Sequence, residues 1–202
     1  MSLKKFRPDL ASASPGSLLQ VEPTELSDVL EITPMRFADD RGWFSEAWNQ
    51  DRFAEFGLRY DWVQDNESLS AQAGTLRGIH FQIEPAAQDK LVRCVAGRIF
   101  DVAVDLRRGS ATFGRWVGRE LSDELGNQLL IPKGFGHGFV TLVAGCRVLY
   151  KTTAPYAAEH DCAIAWDDPS LAIGWPVDRS AITLSSKDKA APTLAGSPML
   201  FD

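Results

Sequence analysis

"KLVRCVAGRIFDVAVDL", residues 90 to 106, decides how the rest of the chain is read. Apolar side chains recur at every second position, the repeat of a strand with one face in a core. Gly97-Arg98 interrupts the run, so the stretch predicts one strand to about Ala96, a tight turn, and a second strand to Leu106. On that second strand Ile99, Asp101, Ala103 and Asp105 share one face, and Phe100, Val102, Val104 and Leu106 the other.

The same pattern continues outward. "GRWVGREL" (114–121), "NQLLIP" (127–132), "GFVTLVAG" (138–145) and "CRVLYKTT" (146–153) read as further short strands, separated by Gly, Asn and Pro turns. "NQDRFAEFG" (49–57) predicts a helix that Asn49 caps and Gly57 ends, and a second short one is expected near the C-terminus. Residues 1–27, rich in Ser and Pro, read as a mobile or loosely docked arm, which leaves 28–202 as a single domain. No internal repeat is visible. Short strands at this spacing imply an all-β sandwich or closed barrel rather than a parallel α/β sheet. A jelly-roll barrel holds ligands in its mouth, so inward-facing polar side chains become the candidates for function.

Composition narrows the classes. With 202 residues the chain is long enough for one cored domain and short for two. No apolar stretch approaches the roughly 20 residues of a membrane span. "MSLKKFRPDLASASPGSLLQ" has two lysines but no apolar run behind them, so no secretory signal is expected. A net charge of −6 disfavours nucleic acid as a partner, but a few arginines in one pocket can still hold a small anion. Cys94, Cys146 and Cys162 are odd in number and lack CxxC spacing, which reads as free thiols in a reducing cytoplasm.

"TLRGIHFQ" (75–82) sets a titratable imidazole beside a cation on a predicted strand. Alone, His80 is as well read as a half-buried histidine satisfied by backbone. Gln82 shares its face, and Lys90 opens the next strand. Arg77 would point the other way in a flat strand, but Gly78 permits a bulge that turns both inward. His137 sits among Gly134, Gly136 and Gly138, in what reads as a bent approach to a strand; it is either an anion donor or a surface turn residue. His160 reads as solvent-facing. Tyr150 suits core packing or a general acid. Asp188 could orient His80 or lie in a solvated loop. A metal needs three or four fixed ligands, and barrels of this kind supply two histidines one residue apart; here the second position is Gln82, so no metal is expected.

"DDRGWFSEAWNQDRF", "WVQDNESLS", "GTLRGIHFQIEPAAQDKLVRCVAGRIFDVAVDLRRGSATFGRW", "IPKGFGHGF", "YKTTAPY" and "WDDPSLAIGWP" together resemble the dTDP-4-dehydrorhamnose 3,5-epimerase family over roughly residues 28 to 190. The resemblance implies a cupin-type jelly roll, a homodimer, a dTDP-sugar substrate and no cofactor or metal. It matches His80 to a general base, Asp188 to its dyad partner, Tyr150 to a general acid and Lys90 to a lysine near the C4 oxygen. Arg41, Glu46, Gln64, Asn66, Arg77 and His137 fall on nucleotide- and phosphate-contacting positions, with Arg41–Glu46 expected to serve the neighbouring subunit. Several relatives carry tandem tyrosines where this chain has Pro155-Tyr156. That departure keeps a C3-only epimerase or a ketoisomerase open as an alternative, beside a non-catalytic sugar-nucleotide binder and a metal-dependent dioxygenase.

Overall fold

Residues 17–202 are described in the computed structural model of this chain. Their strands are β1 Leu19–Pro23, β2 Leu30–Pro34, β3 Phe37–Asp39, β4 Gly42–Phe44, β5 Gln64–Ser70, β6 Leu76–Gln82, β7 Lys90–Ala96, β8 Arg98–Asp105, β9 Trp116–Ser122, β10 Gln128–Ile131, β11 Phe135–Thr141, β12 Cys146–Thr152 and β13 Asp161–Ala163. Two short α-helices, α1 (Gln50–Glu55) and α2 (Ser186–Lys189), complete the set.

The strand pair read from residues 90–106 is present, but its two members do not pair with each other. β7 lies inside a six-stranded sheet ordered β1-β2-β10-β7-β12-β5, and β8 inside a five-stranded sheet ordered β13-β6-β11-β8-β9. Gly97, at φ +79°, carries the chain from one sheet to the other. A Cβ there would lie 2.9 Å from Cys146 Sγ and 3.0 Å from Val143 Cγ2, so a side chain has no room. The turn is a corner between layers, not a hairpin. Period two reports which way side chains point and is silent about which strand lies alongside.

The facial reading of β8 holds. Ile99 and Ala103 join Val92, Cys94, Leu129 and Val148 from the opposing sheet in the core between the layers. Val102, Val104 and Leu106 point outward and are covered by the C-terminal segment through Leu171, Trp175, Leu194 and Phe201. On the other side, Phe53 and Phe56 of α1 cover Leu30, Leu91 and Leu130 of the larger sheet. α1 starts where the sequence predicts: Asn49 Oδ1 accepts from the N–H groups of Asp51 and Arg52, and Gly57 follows the helix at φ +74°. Two antiparallel sheets packed face to face, with neighbours drawn from distant parts of the chain, make a cupin-type jelly roll.

Of the arm expected over residues 1–27, residues 1–16 lie outside those described. Leu19–Pro23 are strand β1, paired antiparallel with β2, and Leu26 is buried in the inter-sheet core, so this part belongs to the fold. Among the described residues no helix is long and apolar enough to cross a membrane. All three cysteines are unpaired, Cys94 and Cys146 buried and Cys162 partly so.

Candidate active site

Between the sheets opens a cavity of about 510 Å³. The smaller sheet contributes Arg77, His80 and His137 to its wall, the larger sheet Lys90 and Tyr150, and α2 Asp188. Arg77 and His80 reach it together because of a bulge. His80 pairs with His137 and Arg77 with Phe139, so β6 spends three residues where β11 spends two. Gly78 sits in that step at φ +105°, and a Cβ on it would come within 2.5 Å of the His137 carbonyl oxygen. The glycine therefore does what the sequence suggested, returning Arg77 to the face of His80.

His80 Nε2 lies 2.6 Å from Asp188 Oδ1. Asp188 also accepts from Ser185 Oγ at 2.6 Å and from the Gly78 N–H at 3.3 Å. Burial works against its charge, but the hydrogen bonds from His80 and Ser185 outweigh burial and hold its carboxyl below the usual range. An ionised carboxylate only accepts, so it fixes the imidazole with Nε2 towards Asp188 and leaves Nδ1 to exchange a proton.

Lys90 is 7% exposed, and its Nζ donates to the His80 carbonyl at 3.3 Å. Burial pushes its ammonium down to about 8, with Asp161 and Asp101 partly offsetting that and Lys187 adding to it. The Tyr150 ring packs against the inter-sheet core with its centroid 6.5 Å from that of His137. Burial raises the Tyr150 pKa; Arg77 opposes the rise and Asp161 adds to it. The phenol is protonated at neutral pH. Stacked sheets stand about 10 Å apart, room for a hexose ring between an imidazole on one and a phenol on the other.

His137 lies in the middle of β11, not in a loop approaching it, and its Nε2 is 2.8 Å from Asp101 Oδ1. The glycines around it serve close packing: a Cβ on Gly136 would meet Ile79 Cγ2 at 2.4 Å. Gln64 and Asn66 do not line the cavity; they are bonded to each other at 2.8 Å, and Gln64 Oε1 accepts from the N–H of Tyr156, which does line it. Arg41 and Glu46 are elsewhere. Arg41 is on the exposed β3–β4 turn, paired with Asp39, and Glu46 borders a separate cleft of about 360 Å³ with Arg93 and Lys151. Arg93 thus faces away from Lys90. The buried Gln82 amide is occupied by the backbone of Ala86, Pro155 and Ala157. His160 is half-buried and does not border the cavity.

Two cavity residues, Asp161 and Lys187, escaped the sequence reading. Tyr156 Oη donates to Asp161 Oδ2 at 3.1 Å, and Lys187 Nζ donates to the same oxygen at 2.5 Å. Both sit in polar segments that look solvated on paper. The one available signal was the adjacency of Lys187 to Asp188.

A family model described as dTDP-4-dehydrorhamnose 3,5-epimerase matches residues 23–196. The enzyme of that name from Sinorhizobium fredii is 53% identical over 180 residues, covering 87% of this chain and 90% of the relative. A crystal structure of dTDP-6-deoxy-D-glucose-3,5-epimerase from Legionella pneumophila, in complex with dTDP-4-keto-L-rhamnose, superposes with a TM-score of 0.84 at 44% identity, covering 88% of this chain and 93% of that one. The structure of dTDP-4-dehydrorhamnose 3,5-epimerase from Bacillus anthracis with TDP and PPi bound also gives 0.84, at 46% identity, covering 87% and 99%. With a jelly roll of the same shape and a dyad, a lysine and a phenol around one cavity, the chain belongs to the dTDP-4-dehydrorhamnose 3,5-epimerase family of isomerases.

Proposed function

We propose that the chain epimerises C3 and C5 of dTDP-4-dehydro-6-deoxy-D-glucose to give dTDP-4-dehydro-L-rhamnose, with His80 as base and Tyr150 as acid. One observation carries the reading: a carboxylate-held imidazole and a buried phenol enter one cavity from opposing sheets. The ketone at C4 acidifies the hydrogens at C3 and C5, because the electron pair left by proton removal delocalises onto the C4 oxygen. His80 Nδ1 takes the proton from one face of the sugar. The Tyr150 hydroxyl returns one from the other face, and the carbon is inverted. Proton exchange with water restores the imidazole and the phenol. No electrons are gained or lost, and the chemistry requires no cofactor.

Lys90 places positive charge where the enolate oxygen develops, and one such preorganised group is worth roughly 3–4 kcal/mol. Arg77, at the same wall, suits the diphosphate through paired N–H donors. Arg41 and Glu46 stand away from this cavity, on or beside a hairpin whose Phe37, Trp43 and Phe44 are largely exposed. Their reach fits a homodimer in which the hairpin completes the neighbour's site. The unpaired thiols suit a cytoplasmic enzyme.

Incubation with dTDP-4-dehydro-6-deoxy-D-glucose in heavy water tests the reading. Deuterium at both C3 and C5 is the expected outcome. Deuterium at C3 alone would favour the single epimerase, and at neither a binding protein.

A further inference from the structure

We propose that Gln82 is a positioning residue whose side-chain amide, aided by Gln88 and Gln64, fixes residues 154–157 as a rigid wall at the mouth of the cavity, on the side of the substrate's nucleotide tail. The part of this inference that concerns substrate rests on the epimerase reading.

Residues 154–157 run from the end of β12 to the single turn at Ala158–His160 and lie in no strand, so their backbone groups need partners outside the sheets. Glutamine side chains supply them. Gln82 Nε2 donates to the Pro155 carbonyl at 3.1 Å, and Gln82 Oε1 accepts from the Ala157 N–H at 2.8 Å. The other hydrogen of the same Nε2 goes to the Ala86 carbonyl at 2.7 Å. Gln88 Nε2 donates to the Ala154 carbonyl at 2.8 Å, and Gln64 Oε1 accepts from the Tyr156 N–H at 3.0 Å. Side chains from separate stretches thus converge on four consecutive residues.

Gln82 is the centre of that clamp. It is 3% exposed, whereas Gln64 and Gln88 are half-buried. Its bonds need donors and an acceptor at one end of one side chain, which an amide has and a carboxylate lacks. Its cross-strand partner on β13 is Asp161, and Asp161 is also the acceptor for Tyr156 Oη. One cross-strand pair therefore brackets Tyr156, its flanking backbone bonded to Gln82 and its hydroxyl to Asp161. The ring is held in place although the residue is 62% exposed. Asp188 and Lys90 are buried, so the reacting sugar belongs inside and the solvated, charged tail outside, beside Tyr156. A wall ordered before the substrate arrives spares binding the entropy of ordering it. The proton-transfer groups are fixed by other contacts, so the clamp acts on binding and not on the chemical step.

Gln82→Leu tests this. KM and the Kd for dTDP, measured by calorimetry, should both rise about tenfold, with kcat within about threefold of wild type. In a Tyr156→Ala background the same substitution should add nothing to KM, because the wall it positions is already gone. Amide exchange followed by NMR should quicken about tenfold at Ala157 and also at Tyr156, whose own partner Gln64 is unaltered, and stay unchanged at Ala163 of β13. Gln88→Ala, at a less buried position, should show the same pattern at about threefold, and decides the matter if Gln82→Leu does not fold. Additive KM losses in the double variant, a fall in kcat with KM unchanged, or wild-type exchange at Tyr156 would each overturn the inference. Exchange and calorimetry need no turnover. If the wild type leaves its substrate unlabelled in heavy water while both shift as expected, the epimerase reading falls and the clamp stands.

Discussion

Around His80 polar groups from separate elements of the same chain meet one another, whereas the β3–β4 hairpin leaves its aromatic side chains turned outward. Asp188 reaches His80 across 108 positions of sequence, and Lys90 donates to its carbonyl. On the hairpin, Trp43 is 58% and Phe44 65% exposed, and among the described residues Arg41 is paired with the neighbouring Asp39. On the proposed function this difference divides the labour: proton transfer would be assembled within one chain, while binding of the substrate's tail would call on a surface that a single chain leaves open.

The sharpest way to break that division is through the cavity. His80→Ala should lower turnover by about 10²–10⁴-fold, the range for a lost general base, with dTDP affinity within twofold of wild type. Equal losses in both, measured by NMR-monitored conversion and calorimetry, would make the cavity a binding site only. Tyr150→Phe should cost product formation about 10²-fold while His80 still removes the substrate proton. If deuterium wash-in and product formation both ran at wild-type rates, another group would be the acid.

Lys90 sharpens the comparison through two opposed pH trends. Its ammonium is held at about 8 against an ordinary value of 10.5, so between those values the unfolded chain binds more protons than the folded one. Stability should then rise with pH across that window, while kcat/KM falls as the charge facing the enolate is lost. At neutral pH Lys90→Met should be more stable, by at most about 3 kcal/mol from the size of the shift, and yet nearly inactive. Parallel melting and rate measurements from pH 7 to 10 decide it; a variant that melts lower would mean that the lysine supports the fold.

How much of this was legible follows from what each signal encodes. The inner and outer faces of β8 were readable because both are buried against something, and alternation survives in the side chains. The corner at Gly97 was not, since a sheet change and a hairpin use the same turn chemistry. Gly78 flagged the bulge that brings Arg77 to His80, but the three-against-two count depends on β11 lying alongside. β11 itself was obscured by its glycines, which look like a loop until Ile79 is seen pressed against them. The contact of His80 with Asp188 was reached through the family resemblance and not from local signals: it joins a strand to a helix 108 positions away, and nothing in the residues around Asp188 marks it.

The smallest effect expected is also the one that tests whether the hairpin belongs to a neighbour. Replacing Trp43 and Phe44 by serine removes exposed apolar surface and leaves the inter-sheet core, which contains neither residue, untouched. The melting temperature should therefore stay within a few degrees, as for surface substitutions generally. If the aromatic tip docks on a second chain, sedimentation should shift from dimer towards monomer on dilution, and KM should rise about tenfold, the equivalent of 1.4 kcal/mol of binding. kcat at saturating substrate should change little, because His80, Asp188, Lys90 and Tyr150 are all supplied by the chain that holds the cavity. A variant that stays dimeric with unchanged KM would assign the exposed aromatics to some other contact. One that loses kcat as well would mean that the proton machinery, too, is set by the partner.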